Sequence, residues 1–109
     1  MSRAKGNEAE TLACNLLFDA GFSILERNFY SRFGEIDIIA FKDKVLHFVE
    51  VKSGRSYEAA AQNITPTKMN RILKTVEHYM ARHQLDLEYT IDALIVVGER
   101  IEWLPDITL

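Results

Sequence analysis

Gly34-Glu35-Ile36-Asp37 and Val49-Glu50-Val51-Lys52 set carboxylates and an amine into two apolar, strand-like runs separated by a short turn. Folding residues 36–41 back on 45–51 about Asp43 and Lys44 places Asp37 opposite Glu50, with Lys52 two residues further along the same face. Like charges directly opposed across a sheet are destabilising. A chain that keeps such a pair is expected to neutralise it with a divalent cation, and the chemistry this favours is metal-dependent cleavage of a phosphodiester.

The alternation on both sides of the turn supports that geometry. Leu46, Phe48, Glu50 and Lys52 share one face of the second run, and Val45, His47, Val49 and Val51 share the other. In the first run Glu35, Asp37, Ile39 and Phe41 lie together, with Ile36, Ile38 and Ala40 behind them. A symmetric turn then pairs Phe41 with Leu46, Ile39 with Phe48, Asp37 with Glu50 and Glu35 with Lys52. The turn is the weak point, because Lys42-Asp43-Lys44 contains neither Asn-Gly nor Asp-Gly. A bulge there would shift the pairing by one residue and part the carboxylates.

Elements on either side must hold this hairpin. Residues 7–20 carry Ala9, Leu12, Ala13, Leu16, Leu17 and Ala20 at the spacing of one helical face, and Gly21 stops the helix. Phe22 to Tyr30 reads as a strand. Residues 53–63 read as a loop with room for one short helix. Thr65-Pro66 caps and starts a second helix whose apolar stripe is Met69, Ile72, Leu73, Val76, Tyr79 and Met80, ending near His83. Ile91 to Val97 is an apolar run of strand length, and Arg100 to Leu104 is a last strand after Gly98-Glu99. The order αβββαββ predicts an α/β fold with a central mixed sheet flanked by helices.

At 109 residues, 48% of them hydrophobic, the chain is expected to form a single domain over 1–109. No apolar run approaches the roughly 20 residues that cross a bilayer. The segment from Met1 to Gly6 reads as the approach to an amphipathic helix rather than a signal peptide, so no membrane partner and a cytoplasmic location are expected. Cys14, the one cysteine, excludes an internal disulfide and a thiolate zinc cluster, and is read as half-buried on the first helix.

With the segments in place, the sequence resembles the YraN-like family of small bacterial proteins. Through that family it resembles the restriction-endonuclease-like, PD-(D/E)XK nuclease superfamily, which includes the archaeal Holliday junction resolvases. The resemblance covers nearly the whole chain. It is carried by Lys5-Gly6 with Glu10 at the first helix, Arg27-Asn28, Gly34-Glu35-Ile36-Asp37, Phe48-Val49-Glu50-Val51-Lys52, and Lys68 with Arg71-Ile72. One departure stands out: the family sets an arginine closely after the catalytic lysine, whereas here Ser53 and Gly54 intervene before Arg55.

The resemblance implies a restriction-endonuclease-like fold in which Asp37 and Glu50 hold one or two Mg²⁺ (or Mn²⁺) ions. Water and substrate phosphate complete the shell of so hard a cation. Lys52 would orient or deprotonate the attacking water and balance charge in the transition state. Glu10 would be a further ligand, favoured over Glu8 because it lies beside Ala13 and Leu17 at the edge of the buried stripe. Lys68, Arg71, Lys74 and Arg55 would contact the nucleic acid, expected to be DNA.

Plainer readings compete with each assignment. Glu35 and Asp37 could be polar positions on a half-exposed hairpin, though Ile39, Phe41, Leu46 and Phe48 make their face too apolar for a solvated surface. Glu50 with Lys52 could be a salt bridge of little worth, and Glu10 a helix-terminus charge. His47, His78 and His83 are read as structural, since no two share a ligand spacing with an acidic partner. The net charge of −3 is not the basic footprint usual for nucleic-acid binding. Locally, however, Arg71, Lys74, His78 and Arg82 form a basic stripe opposite Met69, Leu73, Val76 and Met80, with Lys68 at its flank. Two function classes follow: a Mg²⁺-dependent nuclease, or a non-catalytic nucleic-acid-binding or protein-interaction module of the same fold. The second would dock on DNA-processing proteins, and either could form a homodimer.

Overall fold

Ala9, Ala13 and Leu17 recur every four residues and are buried along one side of α1 (Ser2–Asp19). The computed structural model describes the backbone of residues 2–107 and the side chains of residues 8–107, so Lys5 lies outside the described side chains. A Schellman motif ends the helix. Gly21 has φ +92, its N–H donates to the Phe18 carbonyl at 3.0 Å, and the Phe22 N–H donates to the Leu17 carbonyl at 3.0 Å. Phe22 joins Leu17 in the core, which turns the chain directly into the first strand.

The order is α1, β1 (Ser23–Ser31), β2 (Gly34–Lys42), β3 (Val45–Ser53), α2 (Tyr57–Ala61), α3 (Pro66–Arg82), β4 (Glu88–Val97) and β5 (Arg100–Leu104). The expected αβββαββ order holds, and the short α2 occupies the segment read as a loop with room for one short helix. The five strands form one mixed sheet in the order β1-β2-β3-β4-β5, antiparallel except where β3 pairs with β4. That parallel pair follows from the long crossover through α2 and α3. Among the described residues no helix is long and apolar enough to cross a membrane.

Helices cover both faces of the sheet. Ile72, Val76 and Tyr79 of α3 pack on Ile36, Ile39, Leu46, Phe48 and Ile91. Ala13 and Leu17 of α1 pack on Ile38, Ala40, Val49 and Leu94. Thr65 caps α3 by accepting from the Lys68 N–H at 3.3 Å, with Pro66 following in the first turn, as the sequence predicts.

The β2–β3 turn sits where expected, with Lys42 opposite Val45, Phe41 opposite Leu46 and Ile39 opposite Phe48. Asp43 and Lys44 both adopt positive φ, 51° and 67°, the pattern of a type I′ turn built without glycine. Each residue there carries a Cβ penalty that glycine lacks. Lys44→Gly should therefore stabilise the fold by about 0.5–1 kcal/mol after the added unfolded-state entropy of glycine is deducted, seen as a higher urea midpoint. A lower midpoint would show that the Lys44 side chain stabilises the turn.

Towards its open end the hairpin departs from the expected register. The ladder stops at Ile38 opposite Val49, so neither Asp37–Glu50 nor Glu35–Lys52 forms as a backbone pair. Asp37 instead meets β3 through its side chain, whose Oδ2 accepts the Val51 N–H at 2.8 Å. Ile36, expected behind the sheet with Ile38, packs on the α3 side with Phe29. Asn28 supplies the physical reason. It lies between the pairs Arg27–Ile38 and Phe29–Ile36, and its φ of 53° reverses the side-chain phase at the level of Asp37.

Candidate metal centre

Three elements converge on one end of the sheet. β2 delivers Glu35 and Asp37, β3 delivers Glu50 and Lys52 on the first and third residues past its last pairing with β2, and α1 delivers Glu10. Their carboxyl groups feel one another. Glu10 is raised above its ordinary value first by burial, then by the charges of Asp37 and Glu35, with Arg27 and a hydrogen bond from Asn28 pulling the other way. Asp37 is raised by burial and held back by the Val51 N–H and by Lys52.

Glu50 is the most perturbed group of the set. It is 8% exposed, and its Oε1 is buried with no hydrogen-bond partner. Burial first, and then the charges of Asp37 and Glu35, push its carboxyl from 4.5 up to about 8. Lys52 Nζ stands 3.7 Å from Glu50 Oε2, too far for a hydrogen bond, and so offsets only part of the desolvation. Glu50 and Lys52, both on β3, thus form the weak ion pair of the plainer reading, and that pair leaves Glu50 Oε1 without a partner.

Glu50 carries a pH dependence. Because its folded value lies above its unfolded one, its contribution to stability is fully present below pH 4.5 and is lost as pH rises towards 8. Glu50→Gln removes the cost of ionisation. In metal-free buffer the variant should match wild type near pH 5 and exceed it by about 2–4 kcal/mol at pH 8–9, on a scale of roughly 1.4 kcal/mol per unit. Thermal unfolding across that range reads the difference, and parallel curves would mean that Glu50 is not stressed.

Two residues outside the expected set complete the cluster. With its amide oriented to satisfy both neighbours, Asn28 Nδ2 donates to Glu10 Oε1 at 2.7 Å and to Glu35 Oε1 at 2.9 Å. One left-handed asparagine thus bridges α1 and β2. The signal in the sequence was Asn28 itself, since asparagine tolerates positive φ inside a strand better than most residues. Among the described residues no three His, Cys, Asp or Glu side chains stand close enough to enclose an ion by themselves.

The cationic candidates lie around this cluster rather than in it. Arg55 is exposed and lines a groove of about 500 Å³ with Glu8, Ala9, Leu12, Ser53 and Gly54, just past the end of β3. Lys68, Arg71 and Lys74 are exposed on α3. α3 passes close to the start of β2, where a Cβ built on Gly34, the residue before Glu35, would meet Arg71 Cβ at 3.5 Å.

His47 has the acidic partner that the spacing argument did not find. Its Nδ1 is 2.7 Å from Asp92 Oδ2 and 3.0 Å from Thr90 Oγ1, and Asp92 Oδ1 accepts the Asp106 N–H at 2.8 Å. Phe22 and Trp103 meet the imidazole edge-on. Asp92 is fully buried, and a lone carboxylate inside the apolar run from Ile91 to Val97 was its signal. Among the described residues, His78 meets the rings of Phe29 and Phe33, and His83 meets that of Tyr79. Cys14 is a half-buried free thiol, raised by burial.

Sequence comparison places this cluster within a family. The model of the uncharacterised protein family UPF0102 matches residues 9–96, which include Glu10, Asn28, Glu35, Asp37, Glu50 and Lys52. A UPF0102 protein of Sulfurimonas denitrificans is 53% identical over all 109 residues and the whole of both chains. One from Helicobacter hepaticus is 50% identical, covering 99% of this chain and 97% of its own. Another, from Wolinella succinogenes, is 50% identical over the full length of both. The likeness runs from end to end, its matched span covers the positions of the carboxylate cluster, and the chain belongs to the UPF0102, or YraN-like, family.

Proposed function

We propose that this protein is a restriction-endonuclease-like, metal-dependent nuclease, hydrolysing phosphodiester bonds in DNA or another nucleic acid. The observation that carries the reading is the buried, unpartnered Glu50 Oε1 beside Asp37. Native proteins rarely leave a buried carboxylate oxygen unsatisfied next to a second acid. A divalent cation removes both costs at once. Mg²⁺ fits the donor set, because it is commonly held by one or two carboxylates with water and phosphate filling the remaining positions, so no three-residue cage is required.

Asp37 and Glu50 would hold the ion, with Glu10 approaching from α1. When bound, the ion would polarise a phosphoryl oxygen and lower the pKa of water. The Val51 N–H fixes one oxygen of Asp37 and leaves Oδ1 as the freer donor. Asn28 keeps Glu10 and Glu35 from swinging away under mutual repulsion. Lys52, on the same strand as Glu50 and half-buried, is positioned to orient the attacking water and to balance charge on the phosphoryl group. The exposed cations of α3 and Arg55 would bind flanking phosphates.

The test is a cleavage screen over single-stranded, duplex and branched substrates with Mg²⁺ or Mn²⁺. Metal-dependent cutting by wild type, lost in Asp37→Asn, is the expected result. If wild type binds these substrates but cuts none of them, the assignment passes to the non-catalytic module.

A further inference from the structure

The β1–β2 turn presents an aromatic and cationic tip that neither the core nor the carboxylate cluster uses. Ser31 pairs with Gly34, leaving Arg32 and Phe33 at the tip, with the Arg32 guanidinium 4.8 Å above the centre of the Phe33 ring. His78 of α3 lies at the edge of the same ring, 6.3 Å between centroids. Tyr30, on β1 just before the turn, is 63% exposed.

The tip is held firmly. Ser31 Oγ accepts the Phe33 N–H at 3.1 Å and lies 3.1 Å from Thr75 Oγ1, which donates to the Arg71 carbonyl at 2.8 Å. The turn is thereby fastened to the stretch of α3 that carries Arg71, Lys74 and His78. Phe33 remains only partly covered despite these anchors. A ring kept half-open, capped by one cation and flanked by others, is an arrangement that receives a flat, electron-rich group attached to phosphate.

We infer that the Arg32–Phe33 tip is a stacking platform for an unpaired base, and that the preferred substrate carries a single-stranded segment next to the cleaved bond. The inference rests on the nuclease reading above. Asp37 lies three positions after Gly34, about 10 Å of extended chain, which spans a few nucleotides of a single strand. Stacked bases in a duplex cannot reach such a ring, whereas splayed bases stack on aromatic and arginine planes without regard to sequence. Arg71 and Lys74 beside the tip would carry the flanking phosphates.

Fluorescence anisotropy in EDTA, which prevents cleavage, tests this with one labelled DNA oligonucleotide used as a single strand and as a blunt duplex. Wild type should bind the single strand more tightly. Phe33→Ala should weaken single-strand binding about 10- to 100-fold and leave duplex binding unchanged. Phe33→Leu, which keeps the packing against His78, should show the same loss, and Phe33→Tyr should retain affinity. Equal weakening of both substrates, or no loss in Phe33→Leu, would overturn the stacking platform while leaving the nuclease reading intact. Failure of wild type to bind either form would overturn both.

Discussion

Lys52→Ala should lower the cleavage rate by about 100-fold or more while leaving affinity for uncut nucleic acid nearly unchanged. Lys52 sits beside Glu50, 3.7 Å from its carboxylate, yet forms no hydrogen bond with it, so its charge is available to a group that arrives with substrate. A residue that acts on charge developing in the transition state changes turnover rather than binding. Asp37→Asn and Glu50→Gln should fall by a similar or larger factor for another reason, the loss of metal affinity, and added Mn²⁺ should restore them in part. Lys52→Ala should not respond to Mn²⁺. Rates measured against metal concentration separate the two mechanisms, and equal rescue of all three variants would remove Lys52 from the chemistry.

His47→Ala should be the most destabilising change away from the carboxylate cluster. The substitution strips one partner from the fully buried Asp92 and leaves its Oδ2 with no donor. Breaking a buried pair from one side costs about 3 kcal/mol or more, which corresponds to roughly 10 °C or more in a chain of this size. The paired change His47→Leu with Asp92→Val should recover most of that loss, since it removes the stranded carboxylate together with its partner. Thermal unfolding of the single and double variants reads the coupling. Additive losses would show that the pair contributes nothing beyond its volume.

Much of the architecture was legible because periodicity and punctuation agreed. Gly21, Thr65-Pro66 and the β2–β3 turn ended or began elements where the residue types demanded it, and the pairs Phe41–Leu46 and Ile39–Phe48 formed in the expected register. The error began two residues past the pair Ile39–Phe48. Strict alternation cannot anticipate a left-handed residue in the neighbouring strand, and Asn28 in β1 turns Ile36 to the α3 side and swings Asp37 onto the Val51 N–H. The two carboxylates still feel each other's charge, although they form no backbone pair. Glu35 and Asn28 escaped the candidate list because each belongs to the site only through the other strand or α1. The His47–Asp92 pair escaped for the same reason, its members being 45 positions apart and joined only by the parallel β3–β4 crossover.

The central claim, that Asp37 and Glu50 form a divalent-cation site, is tested most directly by thermal unfolding at pH 7 with and without Mg²⁺ or Mn²⁺. A cation that binds only the folded chain should raise the transition, by about 1.4 kcal/mol at ten times its dissociation constant, or roughly 5 °C. The shift should grow as pH rises from 6 to 8, because binding must displace the proton that burial holds on Glu50. Asp37→Asn should show no shift. A wild-type transition that ignores millimolar Mg²⁺ and Mn²⁺ across this pH range, or one that moves equally in Asp37→Asn, would contradict the account.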